Sequence, residues 1–548
     1  MANKLYYGDN LSVLRESIAS ESVDLIYLDP PFNSNASYNV LFKAPSGEQS
    51  AAQIEAFDDS WHWTDAAELA FDEVMSSTHS DAAIMLRAMR SALGENDMMA
   101  YLTMMAARLI ELHRVLKSTG SLYLHCDPTA SHYLKILLDA VFGAPRFKNE
   151  IAWKRTGHHG GARRWGPVHD TLLFYTKGER YTWNKTLQAY DPFYVEEKFK
   201  NTDERGNFQD VSLTGAGTRQ GDSGMPWRNF DPTEKGRHWA IPLEAGAEID
   251  GFASMSIQQR LDALDAADRL YWPKPRDGGV GFPRIKQYPF EGQAVQDCIV
   301  DISALNSQAQ ERLGYPTQKP VALLERIILA SSNLNDVVLD PFCGCGTTVH
   351  AAQKLGRQWV GVDITHLAIG LIERRLKEAF PGIIYQVYGV PKDVEAARDL
   401  AARDKHEFQK WIVGSIGGQP YKGGKKGMDR GIDGYMHFRD ADKKPQFAII
   451  SVKGGGIKSG DIRDLKGTME REKAALGIFL TLNEPTREME REAAAAGIYE
   501  TGGMKVPKLQ ILTAAQILDN RRPQVPFGHT EGYKKAEREI DDRQAKLF

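Results

Sequence analysis

A chain of 548 residues with 42% hydrophobic and 26% charged side chains is a folded protein of several domains, which excludes fibrous, low-complexity and disordered classes. Its formal net charge of −4 gives no global attraction to nucleic acid, so a DNA-binding face has to come from local clusters of Lys and Arg. Four scattered cysteines argue against a disulfide framework, and no apolar run is long enough to span a bilayer, so a cytoplasmic protein without membrane contact is expected.

In chain order, the apolar run over 23–28 reads as a buried strand that stops at Asp29-Pro30-Pro31-Phe32. A helix over 101–116 and a strand over 121–125 follow, and the Met residues at 85, 89, 98, 99, 104 and 105 read as core filler. From 151 to about 310 the chain turns irregular and rich in Gly, Trp, Arg and Pro, with a short strand at 171–175, which marks a loop-rich unit. Alternation then resumes with a helix over 321–331, a strand over 337–339, a helix over 347–355 and a strand over 358–362, predicting a doubly wound parallel sheet. A charged, Ala-rich helix over 392–404 leads to a last domain of alternating strands and helices to about 518, and the polar tail from 520 is expected to be poorly packed.

Two loops carry chemistry. Asp340-Pro341-Phe342-Cys343-Gly344-Cys345-Gly346-Thr347-Thr348 runs from a strand into a helix, where Gly344 and Gly346 let backbone approach a ligand, and Asp363 ends the next strand, where a carboxylate can hold ribose hydroxyls. The full dinucleotide pattern is missing, since Thr347, Thr348 and Val349 follow Gly346. Upstream, Thr317 and Lys319 offer a hydroxyl and an ammonium for a carboxylate of the cofactor. In Asp29-Pro30-Pro31-Phe32, the Asp29 carboxylate and the Pro30 carbonyl can accept both N–H bonds of an aromatic amine whose lone pair is otherwise delocalised. Pro30 and Pro31 stiffen the loop, and Phe32 can stack on an extruded base. No cysteine follows a proline, which favours direct transfer to nitrogen over covalent attack on ring carbon.

The set formed by Asp29 to Phe32, then Pro316-Thr317-Gln318-Lys319-Pro320, then Asp340 to Thr348 resembles the β-class amino-methyltransferases of DNA, with the catalytic motif ahead of the cofactor motif. The resemblance covers residues 1 to about 390. It implies a Rossmann-like methyltransferase fold, S-adenosyl-L-methionine as donor, Asp29 to Phe32 as catalytic loop, and Asp9, Thr317, Lys319, Asp340, Phe342, Gly344, Gly346, Thr347 and Asp363 around the cofactor. Asp as first residue of the catalytic motif resembles the adenine-N6 enzymes, and cytosine-N4 methylation is the alternative. Cys345 stands where the family more often has Ser. Between the motifs, Lys154, Arg155, Arg163 and Arg164 lie among Trp and Gly residues, as expected for contact with double-stranded DNA, and Arg219, Arg228 and Arg237 lie in similar stretches.

Over about 405–518, Asp433, Ser451 and Lys453 with Glu407 resemble the Mrr-like branch of the restriction-endonuclease fold. There Asp433 would bind Mg²⁺ and Glu407 would add a carboxylate, while Ser451 replaces an acid of the active pattern. Three readings stand for this domain: an active nuclease, a DNA-binding remnant and a structural appendage. The remnant is preferred because Lys422, Lys425, Lys426, Arg430, Lys453 and Lys458 can grip phosphate. The expected fold is α/β, with a methyltransferase catalytic part at 1–150, target recognition at 151–312, a cofactor-binding part at 313–390, a linker helix at 391–404, the nuclease-like domain at 405–518 and a tail at 519–548. No metal is expected in the methyltransferase. The rival readings are a modification subunit with a separate restriction subunit as partner, methylation of RNA or protein, and a DNA-binding protein without catalysis. The sequence leaves monomer and homodimer open.

Overall fold

The computed structural model describes residues 3–31, 37–40, 54–58, 63–157, 163, 165–274, 281–306, 309–313, 315, 317–421, 431–441, 445–526 and 536–539. The chain forms two compact units, Met1–Asn184 with Asp297–Phe548, and Lys185–Gln296. The first holds a nine-stranded sheet of β1 (Asn3–Tyr7), β2 (Val23–Leu28), β3 (Leu116–Cys126), β4 (Phe147–Lys154), β5 (His169–Thr176), β6 (Cys298–Ile299), β7 (Val337–Asp340), β8 (Gln358–Asp363) and β9 (Tyr385–Tyr388). Their order is β6-β4-β5-β3-β2-β7-β8-β1-β9.

Pairing is parallel from β3 through β2, β7, β8 and β1 to β9, and antiparallel only where β5 meets β3 and β4. The near-continuous apolar runs of β2 and β7 follow from cover on both faces, as parallel sheets require. Along β2, Ile26 and Leu28 join one hydrophobic cluster with Leu339 and Val362, while Leu25 and Tyr27 point the other way into a cluster with Tyr123, Leu324 and Val338. The long helix Asp97–Val115 covers the first face with Met99, Leu102, Met105 and Leu109, so the methionines there do pack as core.

The loop-rich unit Lys185–Gln296 is narrower than the change of texture at 151–312 suggests. Strands β4 and β5 pair within the large sheet, because their apolar residues (Trp153, Leu172, Phe174) complete its second face. This smaller unit has its own core of Leu213, Trp227, Trp239, Phe252, Leu261 and Ile285. Its Arg228 pairs with Asp265 at 2.7 Å, and Arg237 donates to the Thr214 carbonyl at 2.7 Å, so two of the arginines expected on DNA have partners inside the unit.

The last domain carries a second sheet of β10 (Gln419–Pro420), β11 (Gly434–Arg439), β12 (Pro445–Lys453), β13 (Leu476–Thr481) and β14 (Leu509–Thr513), in that order. Its core joins Phe408, Trp411, Ile450, Ile478 and Leu512 with Ala397 and Leu400 of the preceding helix Val394–Arg403, so that helix packs as part of this core. The tail does not run free throughout. Ala536 donates its backbone N–H to Glu378 at 2.7 Å, and the Glu539 carboxylate accepts from His350 at 2.9 Å and pairs with Lys354 at 3.2 Å.

Candidate active site

Four adjacent parallel strands, β2, β7, β8 and β1, place an aspartate at or just beyond their carboxyl ends: Asp29, Asp340, Asp363 and Asp9. Parallel pairing puts those ends on one edge of the sheet, where open α/β folds bind ligands. All four line one cavity of about 240 Å³, together with Gly8, Pro30, Pro31, Thr317, Lys319, Phe342, Gly344 and Thr347. The loops expected to hold cofactor and target amine are therefore two walls of one space. Phe32 lies outside the described residues.

The glycine loop is tied to the sheet from both sides. Asp363 Oδ2 accepts the Gly344 N–H at 2.8 Å, and its Oδ1 accepts the Thr365 N–H and hydroxyl, each at 2.8 Å. Gly344 (φ +52°) and Gly346 (φ +73°) are both left-handed, and a Cβ on Gly346 would stand 2.8 Å from Ile372 Cγ1. Burial pushes the Asp340 carboxyl up to about 7, against the hydrogen bonds that it accepts from Thr348 and from the Phe342 N–H. Burial also raises the Asp363 carboxyl. Carboxyls held up by burial favour a ligand that brings positive charge, as a sulfonium does. This donor set and the glycine cradle fit S-adenosyl-L-methionine.

Lys319, 8% exposed, reaches the Asp29 carboxylate at 2.5 Å. The two are 290 positions apart in the chain, and their pairing sets the lysine expected on the cofactor against the acid expected on the amine. Asp9 caps the helix Asn10–Ser17 by accepting the Ser12 N–H at 3.1 Å, and it pairs with Arg108 at 2.6 Å. Sequence reasoning missed Arg108, Asn10 and Tyr27. Arg108 donates to Asn10 Oδ1 at 2.5 Å, and Asn10 donates to the Pro341 carbonyl at 2.8 Å, which links the strand ends beneath the cavity. No local signal marks Arg108, which sits in a helix read as core, whereas Tyr27 was visible as the residue two before Asp29 on the same strand face.

Of the cations expected on DNA, Lys154, Arg155 and Arg163 are exposed, and Arg164 lies outside the described residues, as do Lys422, Lys425, Lys426 and Arg430. Arg155 also pairs with the buried Asp170 at 3.3 Å.

The acids expected around Mg²⁺ are turned to different partners. Asp433 accepts the Val452 N–H at 2.6 Å and the Gln409 amide at 2.9 Å. Glu407, two residues from Gln409 on the helix Lys405–Ser415, turns elsewhere: it pairs with Lys410 at 2.6 Å and accepts the hydroxyl of Tyr7, whose ring stacks on His366 with centroids 3.6 Å apart. Helical geometry separates such neighbours by about 200°, so Glu407 does not fill the gap left by Ser451, which is 8% exposed. Lys453 stands 3.9 Å from Asp461. Among the described residues no group of three or more His, Cys, Asp or Glu side chains is placed to hold a metal ion, and no helix is long and apolar enough to cross a membrane.

Comparison with known proteins agrees with this division. A family model described as DNA methylase (N6_N4) matches residues 23–374, and one described as NACHT-associated inactive Restriction Endonuclease 1 matches 405–519. The type II methyltransferase M.EcaI of Enterobacter cloacae is 28% identical over 413 residues, covering 74% of this chain and 77% of that protein. The Mod subunit of the type III restriction-modification enzyme StyLTI of Salmonella typhimurium is 25% identical, over 65% of this chain and 50% of that protein. The DNA adenine methyltransferase YhdJ of Escherichia coli is 44% identical over 91 residues, which are 17% of this chain and 31% of that protein. By the extent of the first match, the chain belongs to the N6/N4 DNA methylase family, with a restriction-endonuclease-like domain at its C-terminal end.

Proposed function

We propose that this protein is a β-class DNA methyltransferase that methylates the exocyclic N6 of adenine in double-stranded DNA, with S-adenosyl-L-methionine as donor. The observation that carries the reading is the single cavity in which Asp29 and Pro30 face the loop formed by Gly344, Gly346 and Asp363. S-adenosyl-L-methionine supplies an electrophilic methyl group on a sulfonium. The Asp29 carboxylate and the Pro30 carbonyl accept the amine N–H bonds and draw the nitrogen towards tetrahedral geometry, so its lone pair is directed at the methyl carbon. Asp363 holds both the Gly344 backbone and the ribose hydroxyls, and the ion pair with Lys319 holds Asp29 in place.

Adenine is favoured over cytosine by Asp at position 29, and the similarity to the E. coli adenine methyltransferase supports it. Mass spectrometry of digested DNA after incubation with protein and donor is expected to show N6-methyladenine. N4-methylcytosine alone would overturn the assignment.

We infer further that the C-terminal domain does not cut DNA, since the oxygens of Asp433 and Glu407 serve structural hydrogen bonds. Supercoiled plasmid incubated with the protein and Mg²⁺ is expected to stay intact. Glu407→Ala should destabilise the protein by about 1.5–3 kcal/mol through loss of charge-assisted hydrogen bonds, read by thermal denaturation. A melting point that Mg²⁺ raises in the wild type and not in this variant would restore the metal reading.

A further inference from the structure

Among the described residues the cavity wall carries four acids, Asp9, Asp29, Asp340 and Asp363, and two cations, Arg108 and Lys319. Each cation is already matched. Arg108 pairs with Asp9 at 2.6 Å and Lys319 with Asp29 at 2.5 Å, so the lysine expected on the cofactor's carboxylate spends its charge on Asp29. S-adenosyl-L-methionine brings two positive groups, the sulfonium and the α-ammonium, and one negative group, the α-carboxylate. An acidic wall suits the first two. The carboxylate needs positive charge from elsewhere.

A third cation lies behind the glycine loop. Arg375, on the helix His366–Ala379, is 3% exposed, and its Nη1 donates to the Cys345 carbonyl and to Thr347 Oγ1, each at 3.1 Å. Cys345 and Thr347 both line the cavity, so the guanidinium stands directly behind two residues of its wall. Neither partner is a carboxylate. The acid that acts on Arg375 most is Glu311, through space, and a Glu311 oxygen is taken by the Val321 N–H at 2.6 Å. Two neutral oxygens do not need a guanidinium, because a neutral amide would donate to them without a charge to desolvate. The helix Thr347–Lys354 opens at the same stretch, and its first N–H groups add to the positive field there.

We propose that Arg375 is a positioning residue: it pins Cys345 and Thr347 from behind, and its charge seats the α-carboxylate of the donor against this stretch of the loop. The inference rests on the methyltransferase reading and deepens it, since it states which end of the donor faces which part of the cavity. The sulfonium and ammonium then fall to the acids, and the carboxylate to the one part of the wall backed by a cation that no acid pairs with.

Titration calorimetry with S-adenosyl-L-methionine and with its decarboxylated analogue tests it. The analogue carries one more unit of net positive charge, so four acids on the wall would make it the tighter ligand unless a cation meets the carboxylate. Wild-type protein is expected to bind S-adenosyl-L-methionine at least about tenfold more tightly than the analogue, and equal or reversed affinities overturn the proposal. Arg375→Met keeps most of the apolar stem and removes the charge. It is expected to cut the preference about tenfold, whereas a loosened loop alone would weaken both ligands alike and leave the preference unchanged, which would overturn the proposal. Arg375→Lys is expected to retain most of the preference, because it retains the charge. Lys319→Gln is expected to leave the preference nearly unchanged, because Asp29 already neutralises that ammonium. Should Arg375→Met fail to fold, Lys319→Gln and Arg108→Gln decide: a preference that survives both points to Arg375, and one lost in either overturns the proposal. Wild-type protein that binds neither ligand and methylates no DNA would overturn the functional reading itself. Binding and methylation without the preference would overturn only this inference.

Discussion

Asp29→Asn is expected to lower methyl transfer by about 10²–10³-fold, the usual consequence of removing one group aimed at the developing charge. The amide keeps the size of the side chain and one acceptor oxygen but loses the charge. It also removes the ionic partner of Lys319 at 2.5 Å. Because Lys319 lines the same cavity, its release is expected to leave the affinity for S-adenosyl-L-methionine equal or higher, as titration calorimetry would measure. Affinity that falls in parallel with turnover would mean that Asp29 belongs to the cofactor site. Asp29→Ala is a poorer test, because it leaves a buried ammonium without its partner at a cost of about 3–5 kcal/mol, and lost activity would then be confused with lost fold.

Asp363→Ala is expected to weaken cofactor binding by about 10- to 150-fold, which corresponds to losing about 1.5–3 kcal/mol of charge-assisted hydrogen bonds. The upper end is favoured because this carboxylate also holds the Gly344 N–H and both donors of Thr365. Without it the glycine loop loses its anchor on β8, and backbone that has to approach the ligand closely is free to move away. Turnover at saturating donor should fall much less than the affinity does. An unchanged dissociation constant would place the ribose elsewhere on the strand edge.

The two predictions separate two halves of one cavity, and the sequence made each half legible on its own. The glycine loop was readable because left-handed backbone at Gly344 and Gly346 admits few other residues, and the loop at Asp29 because two prolines end a buried strand behind an acid. The nuclease-like domain was legible as a pattern of strands and acids, but not as chemistry. Whether Glu407 and Asp433 converge depends on which face of the helix Lys405–Ser415 meets the sheet. That face presents Gln409 to Asp433 and sends Glu407 to Tyr7.

The extent of the loop-rich unit was likewise decided by tertiary pairing. The apolar face of β4 and β5 found a better partner in the large sheet than in the Gly-rich segment that follows.

What the sequence determined by itself is the local chemistry: a stiffened acidic loop, a glycine-rich turn with an acid at the end of the strand after it, and their order along the chain. Only the tertiary structure decided that Asp9, Asp29, Asp340 and Asp363 share one cavity, that Lys319 meets Asp29 across 290 positions, and that Tyr27 backs onto His125 and Asp170. The physical reason is that parallel strands bring their carboxyl ends to one edge whatever their separation in sequence. Which strands lie side by side there is set by packing of both sheet faces, and no local pattern records it.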